Sequence, residues 1–504
     1  MSAFLPLVPI VLIGISLVPA LLIFFLRGQA VRSRSIVNIG AAVAKIGVLA
    51  LVVPLVFEEQ IAPEFTMPLV PGIDLSLQVD ALSLFFSGLS AVLWLATTIY
   101  AIGYLENKPN RSRFFGFFSL CVTATVGLSF SHNLITFLLF YELLSLVTYP
   151  LVAHYGTSSA LRAARLYLYY ALGGGLILLV GVAWLTVLVG PVTFTPGGAD
   201  AVAELAAEDP ATATAIFALL IAGLAVKAAL FPLHSWLPRA MVAPAPVSAL
   251  LHAVAVVKAG VFGITRVVDD VYGVHVAHDL GLLTPLAVVA AVTILYGSVR
   301  ALVQTDLKKR LAYSTVSQVS YVALGLSIFS EVATTGGLVH LVHQGLAKIT
   351  LFFCAGLIAE RLGVKSIAGL AGLGRRMPLT AAAFTIGAAG MIGLPPTAGF
   401  ITKWQIASGA LDAGADWVLV VLLVSALLNS AYFLPVVWSM WFAEPDESAY
   451  DEPEYRVRPR LEAPASLLLP ALATAALSLG AGLVAGMPYS PLDIARHIAE
   501  RIYL

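Results

Sequence analysis

The chain has 504 residues, of which 60% are hydrophobic and only 11% charged. Soluble domains carry about 25% charged residues, so a water-soluble fold is excluded. Lys plus Arg and Asp plus Glu balance at 28 each, which leaves no net basic footprint for a nucleic-acid partner.

Apolar runs of roughly 18–28 residues, long enough to cross a bilayer, recur from end to end. They predict an all-α polytopic membrane protein with about fourteen transmembrane helices. The expected spans are 3–26, 36–57, 78–104, 112–130, 132–153, 164–190, 212–230, 240–266, 280–302, 309–330, 334–360, 378–408, 413–442 and 464–486. The first run lacks a basic leader and a clear small-residue cleavage site, so it reads as a retained helix rather than a signal peptide.

Alternate loops hold nearly all the basic residues: Arg27, Arg32 and Arg34; Lys108, Arg111 and Arg113; Arg162 and Arg165; Arg239; Arg300, Lys308, Lys309 and Arg310; Arg361, Lys365, Arg375 and Arg376; Arg456, Arg458 and Arg460. The remaining loops, such as EEQIAPEF and GGADAVAELAAEDP, are acidic or neutral. The positive-inside rule then places both termini on the non-cytoplasmic side of the cell membrane, in agreement with an even helix count.

Two helices carry proline interruptions, the seventh at Phe231-Pro232 and the twelfth at Leu394-Pro395-Pro396. Proline removes a backbone donor, and the freed groups need protein or water inside a bilayer, so broken helices line cavities. Paired interruptions suggest an internal repeat. Helices 4–8 and 9–13 are the expected units, and an odd number of crossings inverts one against the other. The resulting divisions are 1–111, 112–266, 267–442 and 443–504. The last holds a polar cytoplasmic loop, AEPDESAYDEPEYRVRPRLEAP, suited to contact a neighbouring subunit. The glycines of ALGGGLILL read as close helix packing, not phosphate binding. No nucleotide-binding loop appears. Cys121 and Cys354 lie in separate helices and read as core residues, with no disulfide framework or iron–sulfur ligation.

Four charges stand out at membrane depth: Glu142, Lys227, Lys258 and Lys403. Each costs roughly 2.5–3.5 kcal/mol at a helix centre, so several retained together point to binding or moving ions. Burial disfavours a lysine's charged form and a nearby carboxylate favours it, so a carboxylate–lysine coupling can gate a proton. A pair about 7 Å apart at an effective dielectric near 20 interacts by roughly 2.4 kcal/mol. Glu142 is the expected modulator of Lys227, and a static ion pair between their helices is the structural alternative. His234, seven residues after Lys227, and His252, six before Lys258, are candidate relays, because histidine titrates near neutrality. His340, Gln344 and Lys348 share one face of the eleventh helix, with His343 adjacent, and suggest a wetted path. Ser314, Ser317 and Gln318 are expected to face it. Lys45 reads as a contact for a partner subunit or lipid, or as a snorkelling side chain.

The segments FYELLSLVTYPLV, VKAALFPLHSWLPRAMVAPAPVSALLHAVAVVKAGVFGI, DLKKRLAYSTVSQVSY, KITLFFCAGLI and GLPPTAGFITKW resemble the antiporter-like subunits shared by respiratory complex I, membrane-bound hydrogenases and Mrp-type multisubunit Na+/H+ antiporters. The resemblance spans helices 4–13 and is strongest in the long block around helices 7 and 8. It implies fourteen helices, inverted five-helix repeats and a central hydrophilic axis. It also implies roles for Glu142 as the helix-5 carboxylate, Lys227 as the broken-helix lysine, Lys258 as the connecting lysine and Lys403 as the terminal lysine. The pattern is most similar to the D-type subunit of Mrp-type antiporters. Gln344 departs from it, since the family usually places histidine there. The expected function is proton translocation within a multisubunit Na+/H+ antiporter, along Glu142, Lys227, His234, His252, Lys258, His340, His343, Lys348 and Lys403. The alternative is a proton-pumping subunit of a redox complex. Neither reading gives this chain a cofactor, a metal or a catalytic site of its own. The expected partners are other membrane subunits, protons, Na+ and lipid.

Overall fold

The computed structural model describes residues 5–27, 30–105, 108–445 and 462–503. Arg456, Arg458 and Arg460, with most of the long polar loop, lie outside the described residues. The first half comprises α1 (Val8–Phe25), α2 (Val31–Phe57), a hairpin of β1 (Glu64–Val70) and β2 (Ile73–Gln78), α3 (Ala81–Tyr104), α4 (Arg111–Phe130), α5 (Leu134–Val152) and α6 (Ser158–Val189). A short α7 (Asp200–Glu208) leads to α8 (Pro210–Ala228), α9 (Trp236–Arg239), α10 (Ala245–Ala249), α11 (Val256–Thr265) and α12 (Val274–Asp279). The second half comprises α13 (Leu283–Leu302), α14 (Leu307–Leu326), α15 (Glu331–Leu362), α16 (Leu373–Arg376), α17 (Pro378–Ile392), α18 (Ala398–Asp412), α19 (Trp417–Phe442), α20 (Ala465–Leu483) and α21 (Pro491–Tyr503).

Among the described residues, twelve helical segments are long and apolar enough to cross a membrane. Two further crossings escape that measure for physical reasons. In α14, a run of lysine, arginine, serine and glutamine dilutes the apolar residues. The twelfth crossing is split into α17 and α18 by the Pro395-Pro396 break. The protein is thus an all-α polytopic membrane protein apart from one hairpin.

Side-chain caps fix many of the starts. Asp80 accepts from Ser83 N in a reciprocal box at α3, and Asn133 opens α5. Thr157 opens α6, Asp306 opens α14 and Ser330 opens α15. Each satisfies an amide that the first turn leaves without a partner. Because Thr157 caps so early, α6 begins at Ser158 and not near 164, and Arg162 and Arg165 are helical, not loop residues. Arg32 and Arg34 are likewise inside α2. The eighth crossing does not stop at 266. It continues through a π-helical turn, Arg266–Tyr272, which carries Asp269 and Asp270 into the bundle. The hairpin around Pro71-Gly72, with Gly72 at φ +79°, replaces what the sequence suggested was a plain acidic loop.

Both interrupted helices are held by close backbone approach. At the first, α8 ends on Ala229, a left-handed residue at φ 57°. There, Gly260 of α11 packs so tightly that a Cβ would land on the Ala228 amide nitrogen. At the second, α17 ends on Gly393 at φ 86°, and a Cβ on Gly399 of α18 would land on the Gly390 carbonyl oxygen. The 32-residue α15 runs through the middle. It packs on α3, α10, α14, α17, α18, α20 and α21, and its apolar stretch is wholly buried.

Gly260→Ala is expected to lower the thermal midpoint of the purified protein by several degrees, through an overpacking penalty of about 1–3 kcal/mol. Gly47→Ala, at a site with open space, should leave it unchanged. Differential scanning fluorimetry in detergent measures both.

Candidate functional site

The expected polar residues gather in two buried clusters on either side of the Gly260 contact. In the first, Lys227 ends α8 and donates to the Tyr141 carbonyl on α5, lying over the Tyr141 ring. Glu142 is the next residue along. The two charges feel one another, yet form no ion pair within 4.0 Å. The expected alternative of a static Glu142–Lys227 lock is therefore absent. Glu142 Oε1 is buried without a donor. Its carboxylate occupies the space left by Gly175 on α6, where a Cβ would land on Oε1. The neighbouring Gly174 lets α6 approach Val226 and the Gly223 carbonyl of α8. The triple glycine thus serves helix packing and makes room for a carboxylate. Two other orphan carbonyls near the break are capped: Gly223 O by Tyr141 Oη at 3.0 Å and Val226 O by Trp236 Nε1 at 2.8 Å.

The second cluster is built around α15. Lys258 Nζ of α11 donates to the Leu341 carbonyl at 2.8 Å. It lies within electrostatic range of His340, His343 and Lys348. Lys348 Nζ donates to Ser314 Oγ of α14 at 2.8 Å, an oxygen that also hydrogen-bonds the Tyr432 hydroxyl at 3.0 Å. His343 Nδ1 shares a hydrogen bond with Thr402 Oγ1 at 2.9 Å. Lys403, on α18, folds back over Gly393 and donates to the Ile392 carbonyl at 2.5 Å. It thereby caps the end of α17 across the break. Gln318 Nε2 reaches the adjacent Met391 carbonyl at 3.4 Å, while Ser317 pairs with Ser298 at 2.9 Å. His252 sits in a π-helical turn, stacked on Phe352 at 4.5 Å.

Among the described residues, no two of the nine candidates are directly hydrogen-bonded to each other. Both ring nitrogens of His252 and His340, both side-chain heads of Gln344 and Nε2 of His343 are buried without protein partners. Such groups rarely go unsatisfied and are normally met by ordered water. His234 departs from its expected place. The break turns it away from the helical face of Lys227 and sets it among Phe231, Tyr296 and Tyr313, with Nδ1 unpartnered.

Lys45 also differs from its sequence reading. It is wholly buried, donates to Ser16 Oγ at 2.7 Å and lies 5.1 Å from the centre of the Trp94 ring. It is neither a lipid contact nor a snorkelling side chain. A run of buried serines and threonines, among them Thr123 at 3.0 Å from Ser16 Oγ, was the sequence signal for this. The Arg266–Asp80–Asp270 ion-pair set was missed as well, because the eighth helix was ended too early. Among the basic loops a cleft of about 1330 Å³ opens, bordered by Arg162, Arg165, Arg239, Lys308, Lys309 and Lys365. Of these, Lys308 donates to the Ala243 carbonyl at 2.6 Å and lies within electrostatic range of His252.

A bundle of this kind, with interrupted helices set around buried lysines, defines an antiporter-like membrane subunit. Comparison with known proteins agrees. Residues 131–429 match the family model described as NADH:quinone oxidoreductase/Mrp antiporter, TM, and residues 71–115 match that of the NADH-ubiquinone oxidoreductase (complex I) chain 5 N-terminus. The chain belongs to this NADH:quinone oxidoreductase/Mrp antiporter family. It is 37% identical to NADH-quinone oxidoreductase subunit N of Desulforudis audaxviator, over 82% of each chain. It is 34% identical to an Na(+)/H(+) antiporter subunit of Alkalihalophilus pseudofirmus, over 69% of this chain and 45% of that longer one. A chain in the structure of the Mrp complex from Dietzia sp. DQ12-45-1b superposes with a TM-score of 0.84 at 26% identity, over 98% of both chains. A chain of an archaeal membrane-bound sulfane sulfur reductase shares the fold, with the same TM-score at 23% identity.

Gly175→Ala is expected to displace the Glu142 carboxylate and cut transport at least several-fold, while Gly173→Ala, which faces open space, should be neutral. Proton flux in vesicles, normalised to assembled protein, separates the two.

Proposed function

We propose that this chain carries protons across the cell membrane as one subunit of a multisubunit monovalent cation/proton antiporter of the Mrp type. One observation carries the reading. Lys227, Lys258, Lys348 and Lys403 are each tied to a carbonyl or hydroxyl oxygen and to no carboxylate within 4.0 Å. Lysines held in that way can change charge without breaking an ion pair. Between them stand the unsatisfied heads of His252, His340, His343 and Gln344, which call for water.

In this reading a proton enters from the basic cleft, passes Lys308 and His252, and reaches Lys348 and Lys258. It then moves past His340 and His343 to Lys403. Glu142 biases Lys227 in the first half, and Lys227 hands on through the Gly260 contact. Residues 112–266 and 267–442 act as inverted units, one on each side of that contact, with both termini on the non-cytoplasmic side. Na+ is the exchanged cation, and other membrane subunits complete its path. His234 has no place on this line.

The second reading, a proton-pumping subunit of a redox complex, is favoured by the relative named as a quinone oxidoreductase subunit N. Iron–sulfur signals in the purified complex would select it over the antiporter.

Lys403→Ala is expected to stop proton translocation in assembled complexes. Lys403→Arg should fail too, because arginine does not release its proton at working pH. An active arginine variant would show that only fixed charge is needed at this position.

Glu142→Ala should reduce the rate at least about tenfold, a modest loss for a residue that tunes proton transfer. Glu360→Ala should be near neutral. Glu360 pairs with Lys108 at 2.7 Å on the surface, where screening leaves ion pairs weak. Dye-reported acidification of everted vesicles gives both rates.

A further inference from the structure

The face of the bundle opposite the basic loops holds another buried charge set, at the far end of the eighth crossing. Arg266 donates to both oxygens of Asp80, at 2.7 and 2.9 Å, and to Asp270 Oδ2 at 2.6 Å. The rings of Phe194 and Phe262, each 5.2 Å away, flank its guanidinium. Asp269 adds a third carboxylate. It is 1% exposed, and neither of its carboxylate oxygens meets a donor. Three carboxylates around one guanidinium leave an excess of negative charge in an apolar setting. A buried carboxylate without donors is far less favourable than the acid, so this group must bind a proton or find a cation.

Its neighbours show where a proton could come from. Tyr503 of α21 lies within electrostatic range of Asp269, and its hydroxyl is 3.0 Å from Thr334 Oγ1 in the first turn of α15. Thr334 precedes His340 by six residues, or about 9 Å along the same helix. On the other side of Tyr503 stands the ring of His275, an exposed residue, at 6.2 Å. The charged and titratable groups facing Asp269 are Arg266 and Asp270 from its own segment and Tyr503 from α21, with Glu331 of α15 beside Tyr503.

We propose that Asp269 is the carboxyl group that passes protons between the α15 stripe and the face opposite the basic loops, with Thr334 and Tyr503 as the hydroxyl bridge. This rests on the proton-carrying reading of the lysine axis. A proton delivered through the two hydroxyls forms an O–H bond at Asp269. That bond then breaks to water at the surface near His275, and nothing else is made or broken. Flow in the opposite direction uses the same groups.

The test measures proton flux after an acid pulse into vesicles holding the assembled complex, for Asp269→Asn, Asp269→Glu, Tyr503→Phe and Lys258→Ala. Asp269→Asn is expected to slow the flux at least about tenfold. It should also remove one protonated-carboxyl carbonyl band from the infrared spectrum, while Asp269→Glu keeps most of the rate. Asp269→Asn at the wild-type rate, with Lys258→Ala inactive, would overturn this inference and leave the axis intact. Lys258→Ala at the wild-type rate would overturn the axis reading itself, and the outlet with it. If Asp269→Asn does not assemble, Tyr503→Phe decides: a slowed flux supports the bridge, and an unchanged one overturns it.

Discussion

An ammonium group inside a bilayer must find oxygen, and the architecture follows from where this chain supplies it. Five buried lysines take their oxygen from Ser16, the Tyr141 carbonyl, the Leu341 carbonyl, Ser314 and the Ile392 carbonyl. An ammonium has three donors, so each is held by less than it can use. A carboxylate partner would fix the charge. A carbonyl or hydroxyl does not, and an amine satisfies it almost as well. The helix breaks follow the same logic. The orphan carbonyls of α8 are capped by Tyr141 and Trp236, and those of α17 by Lys403 and Gln318.

The two breaks are alike in sequence but unlike in their lysines. Lys227 lies in the half-helix before its break and points away to another helix. Lys403 lies in the half-helix after its break and reaches back across it. The first is tied to the carbonyl beside Glu142, and the second is tied to the break itself. Any conformational change at the second break therefore alters what holds Lys403, whereas Lys227 answers chiefly to the position of α5.

Much of this was legible from the sequence. The apolar runs gave the crossings because a bilayer imposes their length, and the proline positions gave both breaks. Glu142, Lys227, Lys258 and Lys403 stood out because charge is rare at that depth. What was not legible depends on contacts distant in sequence. Nothing local says that Gly175 would seat Glu142, or that Lys45 would meet Ser16 and Trp94. The helix starts moved because caps such as Thr157 outweigh hydropathy at the ends. Asp269 and Asp270 were missed because a π-helical extension carries no distinct pattern. The β-hairpin was readable, since EFTMPLV and IDLSLQ flank a Pro-Gly turn, but membrane-scale reasoning passes over so short an element.

The complete burial of α15 bears on biogenesis. A helix carrying His340, His343, Gln344 and Lys348 is a poor substrate for release into lipid on its own. Its neighbours come from both ends of the chain: α3 and α10 are made before it, and α17, α18, α20 and α21 after it. When it leaves the insertion machinery, only half of its final coat exists. Its polar side must wait against α10 and α14, or against the translocon wall, until the last helices are synthesised. The segment most central to the finished bundle is thus among the last to be enclosed, and truncations downstream of residue 445 should be read first as failures to enclose α15.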